Sequence, residues 1–83
     1  MNLRKHEAFY VSGKKDRPAC VEAVAYEDGR VTATVDLDKA TKTQLLYGLR
    51  EMWPALTWKI MACGTDADGY WLAWGSNDKE SAV

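Results

Sequence analysis

The dipeptide Asp28-Gly29 constrains this chain more than any other local feature, because it separates two runs of residues with the composition of β-strands. The runs are residues 19–27, rich in Ala and Val, and residues 30–37, rich in Val and Thr. Asp-Gly favours a two-residue type I′ turn, in which both central residues need a positive φ. The sequence therefore predicts an antiparallel hairpin over residues 19–37.

A two-residue turn fixes which residues of this hairpin lie opposite each other, and so which side chains share a face. The predicted pairs are Glu27 with Arg30, Tyr26 with Val31, Val24 with Ala33, Glu22 with Val35, and Cys20 with Leu37. The face predicted to meet the core then holds Tyr26, Val24, Cys20, Val31, Ala33, Val35 and Leu37. Glu22 is the one residue of that face that does not suit a core. The opposite face, with Ala23, Ala25, Thr32 and Thr34, is predicted to meet water.

An amphipathic helix follows the first hairpin. One stripe of a 3.6-residue period holds Leu45, Leu46, Leu49, Met52 and Trp53. Asp38 is one candidate N-cap, and Thr41 with Gln44 forms a capping box that competes with it. Pro54 ends the helix, since the residue before a proline avoids the α region. Gly48 weakens the helix by about 1 kcal/mol relative to Ala, which suggests close packing on a neighbour.

A second hairpin is predicted from Leu56 to Gly75, with its turn at residues 64–69. If Cys63 lies opposite Tyr70, one face holds Leu56, Trp58, Ile60, Ala62, Trp71 and Ala73. The other face then holds Lys59, Met61, Cys63, Tyr70, Leu72 and Trp74. Both faces are largely apolar, and Trp71 and Trp74 must point to opposite sides. One helix cannot cover both faces, so either residues 1–12 or a partner covers the second.

These elements predict an α+β fold: an antiparallel sheet of four to five strands with one helix packed on one face, in the order ββαββ. The run from His6 to Ser12 is an edge strand or a short helix. The 83 residues are expected to form a single domain. Residues 1–17 make a basic N-terminal segment, and residues 76–83 a polar tail that is expected to fray.

Charge and cysteine content bear on location. The formal net charge is −1, which gives no global attraction to nucleic acid or to an anionic membrane. No apolar run approaches the roughly 20 residues of a membrane span, and the N-terminal stretch lacks the apolar region of a signal peptide. Cys20 and Cys63, with no close spacing, suit reduced thiols in a cytoplasm. A disulfide between them stays open if their strands are neighbours.

No motif in the chain supplies a recognisable chemistry. There is no CxxC or HxxxH spacing for a metal, and no glycine-rich phosphate loop. A catalytic nucleophile needs a base beside it, and the single histidine is His6. Catalysis would require Glu22, His6 or a cysteine to share a cleft. We therefore expect no enzymatic activity, no metal and no cofactor.

The aromatic second face of the C-terminal hairpin carries the functional expectation. Trp, Tyr and Met are enriched at protein interfaces. We expect a protein-binding module whose contacts are Lys59, Met61, Tyr70, Leu72 and Trp74, with Tyr47 and Arg50 on the helix as a second set. The alternatives are single-stranded nucleic-acid binding through an aromatic sheet face, which the acidic residues around this hairpin disfavour, and a homodimeric structural or adaptor protein.

In size and in its lack of motifs, the chain is similar to the small inhibitors carried by phages and mobile elements, such as anti-CRISPR proteins. The likeness is one of character, and no motif carries it. It implies a stoichiometric inhibitor that occludes a surface of a larger host complex.

Overall fold

The computed structural model describes residues 4–65 and 67–77. Its elements are β1 (Arg4–Ser12), β2 (Pro18–Tyr26), β3 (Val31–Asp36), α1 (Lys42–Met52), β4 (Thr57–Cys63) and β5 (Tyr70–Ser76). A short 3₁₀ turn, Lys14–Asp16, connects β1 to β2. The strands form one antiparallel sheet in the order β1-β2-β3-β5-β4. The predicted α+β fold is confirmed, and the N-terminal segment supplies the fifth strand, at one edge.

The helix covers one face of this sheet. After β3 the chain passes through α1 to the far edge, forms β4, and returns as β5 between β3 and β4. The helix contacts both edge strands, β1 and β4, so it lies across the sheet. The buried core between the two layers consists of Val11, Ala19, Val21, Ala23, Val31, Ala33, Val35, Ala40, Leu45, Leu49 and Ala73.

The start of α1 is set by a capping box. The Thr41 hydroxyl accepts from the Gln44 backbone N–H, and the Gln44 side chain accepts from the Thr41 N–H. Gln44 also donates to the Gly13 carbonyl, which ties the helix to the β1–β2 connection. Of the predicted apolar stripe, Leu45 and Leu49 are fully buried, whereas Met52 is 44% exposed. The N-cap is therefore Thr41 and not Asp38.

The first hairpin forms, but its predicted register is wrong by one residue. The Tyr26 carbonyl accepts from Gly29, and the Tyr26 N–H donates to the Arg30 carbonyl, so the loop has three residues and not two. Gly29 has φ of +92°, as in a type I turn followed by a G1 bulge. The observed pairs are Glu22 with Thr34, Ala23 with Ala33, Val24 with Thr32, and Ala25 with Val31.

This slip turns β2 over, because side chains alternate between faces. The β3 residues predicted for the core, Val31, Ala33 and Val35, are buried as expected. On β2, however, Ala19, Val21 and Ala23 are buried. Tyr26, Val24, Cys20 and Glu22 lie on the face away from the helix. The misfit of Glu22 in the predicted core is thereby removed, since its side chain is 66% exposed.

The second hairpin has the predicted register, from Cys63 opposite Tyr70 to Lys59 opposite Trp74. Trp71 lies on the helix side, where its indole N–H donates to the Ala40 carbonyl at 2.9 Å. Trp58 also lies on the helix side, with its ring against Gly75, where a β-carbon would come within 2.7 Å of the ring. Trp74 points to the other face, as the spacing of the two tryptophans requires.

Cys20 and Cys63 are free thiols. Cys20 is exposed on β2, which corrects its predicted place in the core. Two strands lie between β2 and β4, so the cysteines are about 14 Å apart across the sheet, too far for a disulfide. Ser76 is the last residue of β5, and residues 78–83 of the tail predicted to fray lie outside the described residues. No helix in the described part of the chain is long and apolar enough to span a bilayer.

Candidate functional site

The side of the sheet opposite α1, here called the open face, carries the candidate site. No element in residues 4–65 and 67–77 lies across it. Residues 4–12 do not cover it, because β1 continues the sheet at its edge. The open-face residues include His6, Ala8, Tyr10, Cys20, Glu22, Val24, Tyr26, Thr32, Thr34, Asp36, Lys59, Met61, Cys63, Tyr70, Leu72 and Trp74, and none of these is buried.

Strand register arranges these residues in three rows across the sheet. From β1 to β4, the first row is Tyr10, Cys20, Asp36, Tyr70 and Cys63. The second row is Ala8, Glu22, Thr34, Leu72 and Met61, and the third is His6, Val24, Thr32, Trp74 and Lys59. Large apolar side chains therefore gather on β5 and β4, while the carboxylates lie on β2 and β3.

The large apolar side chains of this face are well exposed. Tyr10 is 72% exposed, Met61 58%, Trp74 47% and Tyr70 41%, with Leu72 half-buried between them. Single exposed apolar residues are common on soluble proteins, but contiguous apolar patches mark interaction sites. Register makes Tyr70, Leu72, Trp74 and Met61 neighbours on adjacent strands, so they form one patch.

A gap between β2 and β3 lies beside this patch. Their pairing stops at Glu22 and Thr34, although β2 begins at Pro18 and β3 continues to Asp36. Over this stretch each strand keeps its other neighbour, β1 or β5. A depression of about 680 Å³ occupies the gap. The sheet is thus split at one end of the open face.

The lining of the depression combines aromatic and acidic groups with one basic residue, Lys39. Tyr10 and Tyr70 flank it from β1 and β5, and Glu22 and Asp36 line it between them. No ion pair to Asp36 is formed by the side chains that the structure describes. Carboxylates beside exposed aromatic rings suit a cationic group, which gains from both the charge and the ring faces.

Lys14 bridges the outer end of the gap. Its backbone N–H donates to the Lys39 carbonyl, and its ammonium group donates to the Leu37 carbonyl, both at 2.8 Å. These bonds join the β1–β2 connection to the segment after β3. The depression is therefore held open between strands that are linked on both sides of it.

His6 and Glu22 are brought together on this face, with His6 Nε2 3.2 Å from Glu22 Oε1. Cys20 also lines the depression. His6, however, lies opposite Val24, four residues along β2 from Cys20, which is about 13 Å. The imidazole is therefore out of reach of the thiol. Among the described residues, no group of three or more His, Cys, Asp or Glu side chains could hold a metal ion.

The predicted contact residues divide into two sets. Lys59, Met61, Tyr70, Leu72 and Trp74 share the open face on two adjacent strands. Tyr47 and Arg50 are exposed on α1, the element on the other side of the sheet, so the structure does not join them to this surface.

Sequence reasoning missed Tyr10, Glu22 and Asp36 as members of the same surface. For Tyr10 the signal was the alternation of side chains between the two faces in residues 4–12, which applies only if that segment is a strand. For Glu22 the signal was its misfit on a predicted core face, which indicated a register slip.

No protein-family model matches the chain, and comparisons with curated proteins and with solved structures found no match either.

Proposed function

We propose that this protein is a non-catalytic protein-binding module whose contact surface is the open face. The observation that carries the proposal is the contiguous exposed patch of Tyr70, Leu72, Trp74 and Met61 beside an acidic depression. Such a module acts stoichiometrically, by occupying a surface of its partner. Inhibition of a larger host complex is one form of that action.

The chemistry of the surface indicates the partner. The apolar patch suits a complementary apolar patch at the centre of an interface. Glu22 and Asp36, between two tyrosines, suit an Arg or Lys side chain. The partner is therefore a protein whose docking surface combines apolar side chains with at least one exposed basic residue.

Single-stranded nucleic acid is the second candidate, because Tyr10, Tyr70 and Trp74 could stack bases on an open sheet. The two carboxylates weigh against it, since they repel phosphates. On β4 and β5, the two strands that carry the apolar patch, Lys59 is the one basic residue. Binding of a labelled oligonucleotide at low salt, followed by fluorescence anisotropy and lost steeply as salt is added, would favour this alternative.

Capture from lysate of the native host tests the proposal with a matched pair of variants. Trp74→Ala removes an aromatic ring from the open face, and Tyr47→Ala removes one from the helix surface. Wild type and Tyr47→Ala should retain the same protein at a stoichiometric ratio, and Trp74→Ala should lose it. Circular dichroism must show that both variants remain folded. Retention by Trp74→Ala, or loss with Tyr47→Ala alone, would contradict the assignment of the surface.

Neutralising the carboxylates separates the two partner classes. Glu22→Gln with Asp36→Asn should weaken a basic protein partner and should strengthen an oligonucleotide, because the same two charges attract one and repel the other. The side chains of Glu22 and Asp36 are exposed, so folding should be unaffected. Stronger oligonucleotide binding, with no loss of the captured protein, would overturn the proposed role of the depression.

A further inference from the structure

The outer edge of β4, residues Thr57–Cys63, has no strand paired to it among the described residues. An edge strand exposes alternate N–H and C=O groups that can pair with another chain. The opposite edge, β1, carries three charged residues, Arg4, Lys5 and Glu7, in its nine residues. In contrast, β4 carries one charged residue, Lys59, in its seven. Charge on an edge strand discourages pairing, so β4 is the edge more open to it.

We infer that two copies of this chain associate through β4, by antiparallel pairing of their β4 edges about a two-fold axis. Electrostatic repulsion between the two copies is weak, because each carries a formal net charge of only −1. This interface is formed by the edge of β4, and its test uses the purified protein alone, so the outcome does not depend on the proposed function.

Symmetry and side-chain alternation restrict the register of such a pair. In an isologous interface, if residue i lies opposite residue j of the partner copy, then j lies opposite i. The two open faces must also lie on the same side of the continuous sheet, which requires residues of like parity to face each other. One residue near the middle of β4 then lies opposite the same residue of the other copy, and this residue is Lys59, Ile60 or Met61.

Side-chain chemistry selects among these three registers. Centring on Lys59 places two ammonium groups directly opposite, which is destabilising. Centring on Met61 aligns only residues 59–63, leaving Thr57 and Trp58 without strand partners. Centring on Ile60 aligns the whole strand. It places Ile60 opposite Ile60, Trp58 opposite Ala62, Lys59 opposite Met61 and Thr57 opposite Cys63. The large indole then meets a small side chain, and no like charges meet.

The two open faces become one continuous surface in this dimer. Lys59 and Met61 belong to the open face, and Lys59 of each copy would lie beside Met61 of the other across the axis. A partner with a repeated surface would then meet two patches at once, which raises its apparent affinity through effective concentration.

A register-specific disulfide tests the inference. In the variant Thr57→Cys with Cys20→Ser, the thiol introduced at position 57 of one copy lies opposite the native Cys63 of the other, at a Cα separation of about 4.5–5.5 Å. That separation falls within disulfide geometry. Mild oxidation should give a covalent dimer, and peptide mapping should show a bond between positions 57 and 63. The matched control, Lys59→Cys with Cys20→Ser, places its new thiol opposite Met61 and should remain largely monomeric on a non-reducing gel.

Charge variants at Met61 supply a second test without a covalent trap, by sedimentation equilibrium over a range of concentrations. Met61 is 58% exposed, so both substitutions should fold. In the dimer of Met61→Glu, each of the two new carboxylates lies opposite Lys59 of the other copy. In the dimer of Met61→Lys, each new ammonium group lies opposite Lys59 instead, which is a like-charge contact. The Met61→Glu dimer should therefore be about tenfold tighter than the Met61→Lys dimer. Wild-type protein that sediments as a monomer at every concentration would overturn the inference. Efficient cross-linking of the Lys59→Cys control would overturn the register.

Discussion

A β-carbon on Gly48 of α1 would overlap the Cγ1 methyl of Val11 on β1, so the helix meets the edge strand at the point where it has no side chain. In an exposed helix, Gly→Ala gains about 1 kcal/mol. Here the added methyl group must displace Val11, and overpacking of that kind costs about 1–3 kcal/mol. Gly48→Ala should therefore leave the protein no more stable than wild type, or destabilise it by up to about 2 kcal/mol, in urea denaturation.

A double-mutant cycle shows whether the contact is the cause. Val11→Ala opens space at the contact, and the cost of Gly48→Ala should fall or reverse in that background. Equal effects of Gly48→Ala in the two backgrounds would show that Val11 does not set its cost.

The sequence indicated this contact only in part. A glycine inside an amphipathic helix predicted close packing on some neighbour. The neighbour itself, Val11, lies in the segment from His6 to Ser12, for which the sequence pattern allowed either a strand or a short helix. Contacts between elements distant in the chain depend on how the sheet is assembled, and here the segment that ends at Ser12 forms its edge.

The register of the first hairpin can be tested with one substitution at two sites. Ala23 on β2 is 1% exposed and faces the core, whereas Ala8 lies on the open face opposite Glu22 and is not buried. Ala23→Lys buries an unpaired charge and should cost at least about 3 kcal/mol, close to the whole stability of a small domain. Ala8→Lys places an ammonium group opposite a carboxylate and should be neutral or slightly stabilising.

Thermal denaturation of the two variants distinguishes the registers. With a two-residue turn, β2 would be turned over, so Ala23 would face solvent and Ala23→Lys would fold. Folded Ala23→Lys with a wild-type melting temperature would therefore contradict the three-residue turn.

The two hairpins show why one register was predicted correctly and the other was not. In the second, both faces are apolar, and the pairing of Cys63 with Tyr70 was set by the span of the turn. In the first, Asp-Gly is compatible with a two-residue turn and with a three-residue turn that ends in a glycine bulge. Gly29 has a positive φ in both, so the dipeptide cannot distinguish them. The charge of Glu22 was the local signal for the longer turn.

The helix cap offers a third prediction. The Thr41 hydroxyl accepts from the Gln44 N–H, and the Thr41 N–H donates to the Gln44 side-chain oxygen. Thr41→Ala should lower stability by about 1 kcal/mol, since it leaves a helix N–H without its cap. Thr43→Ala, two residues into α1 at an exposed position, should be neutral or stabilising because Ala has the higher helix propensity. Urea midpoints at constant m-value measure both, and equal midpoints for the two variants would argue against the cap at Thr41.

Two partly buried tryptophans that pack against the core differ in the hydrogen bonding of their indole N–H groups. The Trp71 N–H donates to the Ala40 carbonyl, whereas the Trp58 N–H is buried without an acceptor among the described residues. Trp→Phe removes similar apolar area at both sites. At Trp71 the substitution also leaves the Ala40 carbonyl without its hydrogen-bond donor. At Trp58 it removes an N–H donor that had no acceptor. Trp71→Phe should therefore be the more destabilising by about 1–3 kcal/mol in urea denaturation. If Trp58→Phe costs as much as Trp71→Phe, the Trp58 N–H has an acceptor in solution.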